Sequence, residues 1–459
     1  MSGNQDTIFA RASGAGRAGV AVYRLSGPAA FAITRQLISK QIKERVATLT
    51  PLLDPATGEV IDRGLVLLFP APASFTGEDV AEFHLHGSAA VEAALYEVLG
   101  RLGARPAEAG EYTLRALREG KLDLAQAEAL ADLIDAETQK QKKQALSQLD
   151  GRLSAIADGW RAQLLAVFAP LEADIDFPDE GDVPMAVAAK AGPEIAALTA
   201  QLQVFLGAAG EAMAIRDGVC IAIIGQPNAG KSSLLNALAG SDIAIVSQTP
   251  GTTRDVVEVR LDLGGVPARV ADTAGIRLRT NDEIEAEGIR RAQIKSENAD
   301  IRLLIADPQA PGSADTHRAL VKQLRPGDFL VWSKADLAQN HAGGDAVAPP
   351  SSDPDIADGV CVVSVSAKTR AGMDGFVQSL AANVSRETSG EPALTRVRHV
   401  RAVEAAVAAL TRAETMVATD PELAAEDVRM AARSLGAISG AVGVEDVLGE
   451  IFSRFCIGK

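Results

Sequence analysis

The sequence predicts a multidomain chain of mixed α/β and α class. An N-terminal α+β domain comes first, followed by a helical domain made from two chain segments, with an α/β domain inserted between those segments. Three observations carry this reading. The chain has 459 residues, and at ~100 to 200 residues per domain that makes two to four domains. Its hydrophobic period becomes helical near Lys121, strand-like near Arg216 and helical again near Glu387. A glycine-rich loop also stands between an apolar run and a helix-like run at the start of the strand-like region.

In the expected first domain, 1–120, extended runs at 19–25 and 64–69 alternate with helix-like stretches, punctuated by Gly and Pro. The first helical segment, 121–216, has core-facing stripes: Leu130, Leu133 and Ile134, then Leu153, Ile156, Trp160, Leu164, Val167 and Leu171. The inserted domain, 217–386, has strand signals at 219–224, 256–263, 266–271, 302–306, 329–332 and 360–365. Helical stretches between most of them predict a largely parallel sheet. Gly264-Gly265 gives the second and third strands a tight turn, hence an antiparallel hairpin at an edge. The loop 340–358, rich in Gly, Pro, Ser and Asp, reads as a solvated excursion. The second helical segment, 387–459, carries Val403, Val407, Leu410 and Val417, then Asp420 as N-cap with Pro421 at the first helical position. Insertion follows because neither helical segment makes a complete bundle alone, whereas a domain whose ends lie close together inserts at little cost.

Lys+Arg of 45 against Asp+Glu of 60 gives a net charge of −15, which argues against a protein that coats nucleic acid through a broad cationic surface. Any RNA contact is expected to be local or shared with a partner; the short run Lys140, Lys142 and Lys143 suits phosphates but equally a solvated helix face. No run approaches the ~18 uninterrupted apolar residues that span a bilayer, and residues 1–12 lack an apolar signal core, so the expectation is a cytoplasmic protein without a membrane anchor. Cys220, Cys361 and Cys456 show neither paired nor metal-ligand spacing.

The run GQPNAGKS at 225–232 follows an apolar strand and precedes a helical run at 233–238. Glycines let backbone N–H groups turn toward phosphates, the helix N-terminus adds partial positive charge, Lys231 reaches β and γ oxygens, and Ser232 can ligate Mg²⁺. Asn228, Ala229, Gly230 and Ser233 complete this expected phosphate site. Asp272, Thr273, Ala274 and Gly275 end a strand, putting a carboxylate near the metal and a backbone N–H near the γ-phosphate. In the run at 251–255, Gly251, Thr252 and Thr253 precede the hairpin, with Thr253 as a second Mg²⁺ hydroxyl. After two later strands come Ser333, Lys334 and Asp336, then Ser366, Ala367 and Lys368. Asp336 would accept from guanine N1 and N2, and the Ala367 N–H would donate to O6. Guanine is therefore the expected base and the chain a GTPase. Ser333 stands where this motif usually has Asn, losing an amide that braces the base and the neighbouring loop.

At this point the whole chain resembles the bacterial tRNA-modification GTPase family MnmE (TrmE). The blocks GRAGV at 16–20, SFTGED at 74–79, KLDLAQAE at 121–128, DFPDE at 176–180 and FCIGK at 455–459 match that family in order. The resemblance implies a folate-binding, dimer-forming N-terminal domain, a discontinuous helical domain and an inserted Ras-like P-loop G domain. It implies a homodimer that joins an FAD-dependent partner, MnmG, in a heterotetramer and acts on tRNA. There it would install aminomethyl or carboxymethylaminomethyl groups on C5 of the wobble uridine, with 5,10-methylene- or 5-formyl-tetrahydrofolate as the one-carbon source.

By the same resemblance Asn228, Ser247, Thr249 and Thr252 would form a K⁺ site, and Gln248 and Pro250 join the GTP-binding switch loop. A cation beside the β/γ bridge supplies the charge that an arginine finger gives elsewhere. Thr249-Pro250 differs from some relatives, yet Pro keeps its carbonyl. Glu285 resembles the glutamate that orients the attacking water; by position alone Glu283 and Glu287 are equally near. Arg24, Glu82, Lys121 and Lys459 resemble the folate contacts, a carboxylate suiting the pterin N–H groups and cations the glutamate tail. Glu82, His84 and His86 alternate on one strand face, as metal ligands also do. Cys456 resembles the family cysteine needed for modification, with a buried inert thiol as the alternative; Gly458 and Lys459 do not fit a prenylation tail. The rival is a regulatory or ribosome-associated GTPase that performs no one-carbon chemistry.

Overall fold

The computed structural model describes residues 6–176, 186–245, 258–272, 299–307, 314–338, 356–384 and 394–441, with 448, 451, 452, 455 and 458 in the tail. The chain divides into two compact units, 1–134 with 146–203 and 401–459, and 135–145 with 204–400.

In the first unit six strands form one sheet: β1 (Ile8–Arg11), β2 (Ala18–Ser26), β3 (Thr48–Leu53), β4 (Val60–Phe69), β5 (Val80–Gly87) and β6 (Arg105–Pro106), in the order β3-β4-β5-β2-β1-β6. All neighbours are antiparallel except β1 and β6. Alternation sorts the faces: Ala21, Tyr23, Leu25, Val66, Leu68, Ala81, Phe83 and Leu85 enter the core, and Arg24, Glu82 and His84 take the other face. Helices α1 (Ala30–Leu37) and α2 (Ala89–Arg101) supply Ile33, Leu37, Leu95, Val98 and Leu99 to that core. The Ser88 side chain caps α2 by accepting from the Val91 N–H. Helix α3 (Glu111–Arg118) carries Arg115, whose side chain is only 1% exposed. Its guanidinium donates to both oxygens of Glu78, to Glu111 and to Asp6. A buried cation survives only with such partners.

The helical part of this unit includes α4 (Leu124–Asp135) and α6 (Arg152–Asp176). The stripe on α6 is as expected, with Leu153, Trp160, Leu164, Val167 and Leu171 buried and Ile156 half-buried. The stripe expected on α4 is corrected. Ile134 is 42% exposed, and α4 instead buries Leu124, Ala125, Ala127, Glu128 and Ala129. Alanines let a helix approach its neighbours closely, so the side with small residues is the one that packs. Asp420 caps the helix Pro421–Ser439 by accepting from the Leu423 N–H, with Pro421 in its first turn.

In the second unit β7 (Val219–Gly225), β8 (Glu258–Leu263), β9 (Val266–Asp272), β10 (Ile301–Ala306), β11 (Phe329–Trp332) and β12 (Cys361–Ser364) make a sheet in the order β12-β11-β10-β7-β9-β8. It is parallel except for the β8–β9 hairpin at the edge, as Gly264-Gly265 predicts. At the amino ends of β10 and β11, Arg302 and Asp328 form a buried pair with Nη2–Oδ2 at 2.6 Å. The start of α5 (Gln139–Leu149) belongs to this unit: Thr138 Oγ1 donates to the Gly265 carbonyl at 2.6 Å, and Glu137 pairs with Arg260. Lys140 lies beside the Gly265 backbone, its stem occupying the place a side chain there would need. Neither Cys220 nor Cys361 is joined in a disulfide.

Helix α7 (Ala186–Asp217) contains a stretch, Ala191–Asp217, long and apolar enough to cross a membrane by length and composition. Its residues Ile195, Leu198 and Leu202 are buried, and the sequence interrupts the run with Glu194, Gln201, Gln203 and Glu211. That is the pattern of a helix that buries one apolar stripe and leaves its other side, including Val204, exposed.

Candidate functional site

In the parallel sheet the chain leaves β7 and turns to opposite sides, β9 on one and β10 on the other, so a crevice opens at the carboxyl end of β7, where ligands of such sheets bind. Every described member of the expected nucleotide site lies at this edge. Gly225 sits at φ +144°, and a Cβ there would come within 2.3 Å of the Ile305 carbonyl oxygen, so only glycine allows the loop to leave between β7 and β10. Asn228 adopts φ +62° and Gly230 φ +101°, the left-handed positions that turn successive N–H groups to one side ahead of helix α8 (Lys231–Ala239).

Lys231 is 7% exposed. Its ammonium donates to the carbonyls of Gly225 and Gln226 at 2.9 and 2.7 Å, folded over the loop it would share with a phosphate. Burial pushes its pKa below the ordinary lysine value, opposed by Asp272. Added negative charge at this spot would therefore be doubly welcome. The Ser232 hydroxyl donates to Asp272 Oδ2 at 3.2 Å, bringing together from α8 and β9 the two groups that could hold Mg²⁺.

The segments expected to bind the base meet beside this loop. Asp336 accepts from the Ser366 hydroxyl at 2.7 Å, which in turn accepts from the Thr369 N–H at 3.1 Å, so the carboxylate is held in one orientation. Lys334 pairs with Asp307 at 2.6 Å; nothing in the local sequence around Lys334 announces that partner. Ser333 revises an expectation. Its hydroxyl lies 2.6 Å from the Ala229 carbonyl and 3.1 Å from that of Ala306, so the brace to the phosphate loop survives in a shorter side chain. Closeness makes this possible: a Cβ on Gly230 would stand only 3.5 Å from Ser333 Oγ. Ser247, Gln248, Thr249, Pro250, Gly251, Thr252, Thr253, Thr273, Ala274, Gly275 and Glu285 lie outside the described residues, as do Cys456 and Lys459.

The second cluster is on the N-terminal sheet. Arg24 faces Glu82 across β2 and β5, and its Nε and Nη2 both donate to Glu82 Oε1, at 3.1 and 2.9 Å. The guanidinium stands over the rings of Phe75 and Tyr112, 5.4 and 5.7 Å from their centroids. Glu82 thus engages the Nε and Nη2 edge of Arg24 and holds the guanidinium in place. Lys121 adjoins the same loop as Phe75: a Cβ on Gly77, at φ +83°, would lie 3.3 Å from Lys121 Cε. Phe75 and Tyr112 escaped the sequence reading of this site, although Phe75 falls within the SFTGED block. His86 is tied to Asp62 at 2.9 Å, away from Glu82. Among the described residues no group of three His, Cys, Asp or Glu could hold a metal ion. In the tail Phe455 packs near Gly110, and Gly458, at φ +99°, lies flat against the backbone of Arg11 and Ala12, where a Cβ would overlap the Arg11 carbonyl.

The family model described as the MnmE helical domain matches residues 124–456, and that described as the GTP-binding protein TrmE N-terminus matches residues 7–121. The chain belongs to the MnmE (TrmE) family. Among its relatives, a protein of Parvibaculum lavamentivorans named tRNA modification GTPase MnmE is 48% identical over 99% of this chain and all of its own length. Proteins of the same name from Paramagnetospirillum magneticum and Caulobacter vibrioides are 49% and 48% identical over the same shares. As a member of the MnmE family the chain combines the phosphate loop with the Arg24–Glu82 sheet, two clusters that lie in different compact units.

Proposed function

We propose that this protein is a GTP hydrolase of tRNA modification. With an FAD-dependent partner, MnmG, it would install aminomethyl or carboxymethylaminomethyl groups on C5 of the wobble uridine. What carries the GTPase half is the convergence, at one sheet edge, of Lys231, the Ser232–Asp272 pair and the Asp336–Ser366 pair. The modification half is supported by full-length likeness to relatives bearing that name.

In this reading Lys231 exchanges its two carbonyl partners for β- and γ-phosphate oxygens, a gain because an ammonium bonds a charged oxygen more strongly than a neutral one. Ser232 and Thr253 would hold Mg²⁺, with Asp272 orienting its water shell, and Mg²⁺ when bound neutralises charge on the bridging oxygens. Asp336 would read guanine N1 and N2, assisted by the Ala367 N–H. Asn228, Ser247, Thr249 and Thr252 would hold K⁺, whose role is charge beside the β/γ bridge. Glu285 would orient the attacking water. In the N-terminal domain Arg24, Glu82, Lys121 and Lys459 would bind a tetrahydrofolate, and Cys456 would serve the chemistry on the base. The domains are read as 1–120, 121–216, 217–386 and 387–459, in a cytoplasmic homodimer that joins MnmG.

The test is GTP turnover in KCl and in NaCl, with Glu285→Ala and Asn228→Ala beside the parent. We expect faster hydrolysis in KCl, lost in Asn228→Ala, and normal GTP binding with poor hydrolysis in Glu285→Ala. Equal rates in the two salts would remove K⁺ from the mechanism. Mass spectrometry of undermodified tRNA incubated with the protein, GTP, MnmG and methylene-tetrahydrofolate checks the modification itself.

A further inference from the structure

On the outer face of the N-terminal sheet, Glu82 presents two unequal oxygens. Oε1 accepts twice from Arg24, at 3.1 and 2.9 Å, and is saturated. The Tyr112 hydroxyl anchors the backbone of Arg24 by donating to its carbonyl at 2.7 Å, so the pair is held firmly. Oε2 lies 3.4 Å from His84 Nε2, one strand period further along β5. That is long for a hydrogen bond to a carboxylate, so an incoming polar edge can displace the contact at little cost. The cross-strand partners of His84 are Leu65 on β4 and Val22 on β2, and that of Glu82 on β4 is Leu67. Apolar side chains therefore flank the two polar ones, and both polar groups remain accessible, at 29% and 18% exposure.

We propose that His84 is a ligand-contacting residue that, with Glu82 Oε2, reads the edge of a cyclic lactam: the ring N–H donates to Glu82 Oε2, and His84 Nε2–H donates to the adjacent carbonyl. A ring nitrogen facing a carboxylate is the one that carries the hydrogen, which leaves His84 a donor beside an acceptor. Saturation of Oε1 by Arg24 decides the pattern. Two free carboxylate oxygens would suit a double-donor edge, whereas one acceptor next to one donor suits –NH–C(=O)–. A reduced pteridinone has this edge, and so does uracil. The inference rests on the reading of Arg24 and Glu82 as a one-carbon-carrier site and adds the residue that selects the ring edge.

The experiment titrates the full chain and its His84→Leu, His84→Gln and Glu82→Gln variants with 5-formyltetrahydrofolate and, separately, with uridine 5′-monophosphate, by calorimetry. His84→Leu is expected to weaken binding ~10-fold, the scale of a lost donor to a partly desolvated acceptor. His84→Gln, which keeps an N–H, should stay within ~3-fold. GTP hydrolysis without either ligand should be unchanged in both His84 variants, which sets aside a folding defect. Loss in the folate titration assigns the edge to the pteridine, and loss in the uridine titration assigns it to the base. If His84→Leu binds both as the parent does while Glu82→Gln loses folate, the role of His84 is overturned and the carrier site stands. If Glu82→Gln binds folate as the parent does, or the parent binds neither ligand, the carrier site falls and this inference with it.

Discussion

Ser333 illustrates how far one side chain can be read alone. From sequence it is a shortened replacement for a bracing amide. In the fold its hydroxyl reaches the Ala229 carbonyl 104 positions away, because Gly230 leaves room for close approach. One hydrogen bond contributes ~1 kcal/mol, about fivefold in an equilibrium constant. Ser333→Ala is therefore expected to weaken GDP binding about fivefold without changing the preference for guanine, which we assign to Asp336. Titration with fluorescent guanine and adenine nucleotides checks this; an unchanged GDP affinity would make the brace irrelevant. Arg24 teaches the complementary point: its charge suits an anionic ligand, but register across β2 and β5 also gives it Glu82 as a partner.

At the scale of elements, α3 and β6 are joined to the loop before β5 through one charge network. Burial works against the charged form of Glu111, but hydrogen bonds from Arg105, the Glu108 N–H and Arg115 overcome it and hold the carboxyl below its ordinary value of 4.5. Asp6, bonded by Arg105, is held low as well. A carboxyl whose folded pKa is depressed contributes stability above its unfolded pKa and loses it as pH falls through the folded value. The first unit should accordingly lose stability steeply below about pH 4.5. Glu111→Gln should be less stable at pH 7 and show a shallower acid limb, measured by urea unfolding at stepped pH. Parallel acid limbs for the two proteins would contradict the assignment. Helix α4 shows why such elements are hard to orient from sequence: Leu130, Leu133 and Ile134 advertise one face, while Leu124 and the alanines pack on another.

At the scale of the whole molecule, two compact units each have a core of their own, one built on the antiparallel sheet and the other on the parallel sheet. Separate cores predict two calorimetric transitions. Saturation with GDP and Mg²⁺ at 100 times the dissociation constant adds ~2.7 kcal/mol to whichever unit binds. Only the transition of the unit containing 204–400 should rise in a calorimetric scan; an equal rise in both would argue that nucleotide is shared or the units unfold as one.

The nucleotide loop was legible in the sequence because its demands are local: glycines where φ is positive, lysine and serine at fixed offsets, an apolar strand before and a helix after. The strand series and the edge hairpin were legible for the same reason, since period and turn residues are properties of adjacent positions. The sequence alone could not say that Ser333 would meet Ala229, that Ser366 would steady Asp336, or that Arg24 would pair with Glu82 against Phe75 and Tyr112. Those partnerships join segments tens of residues apart, and sheet order and strand register decide them. Both are collective outcomes of burying many apolar side chains at once, which no short stretch encodes.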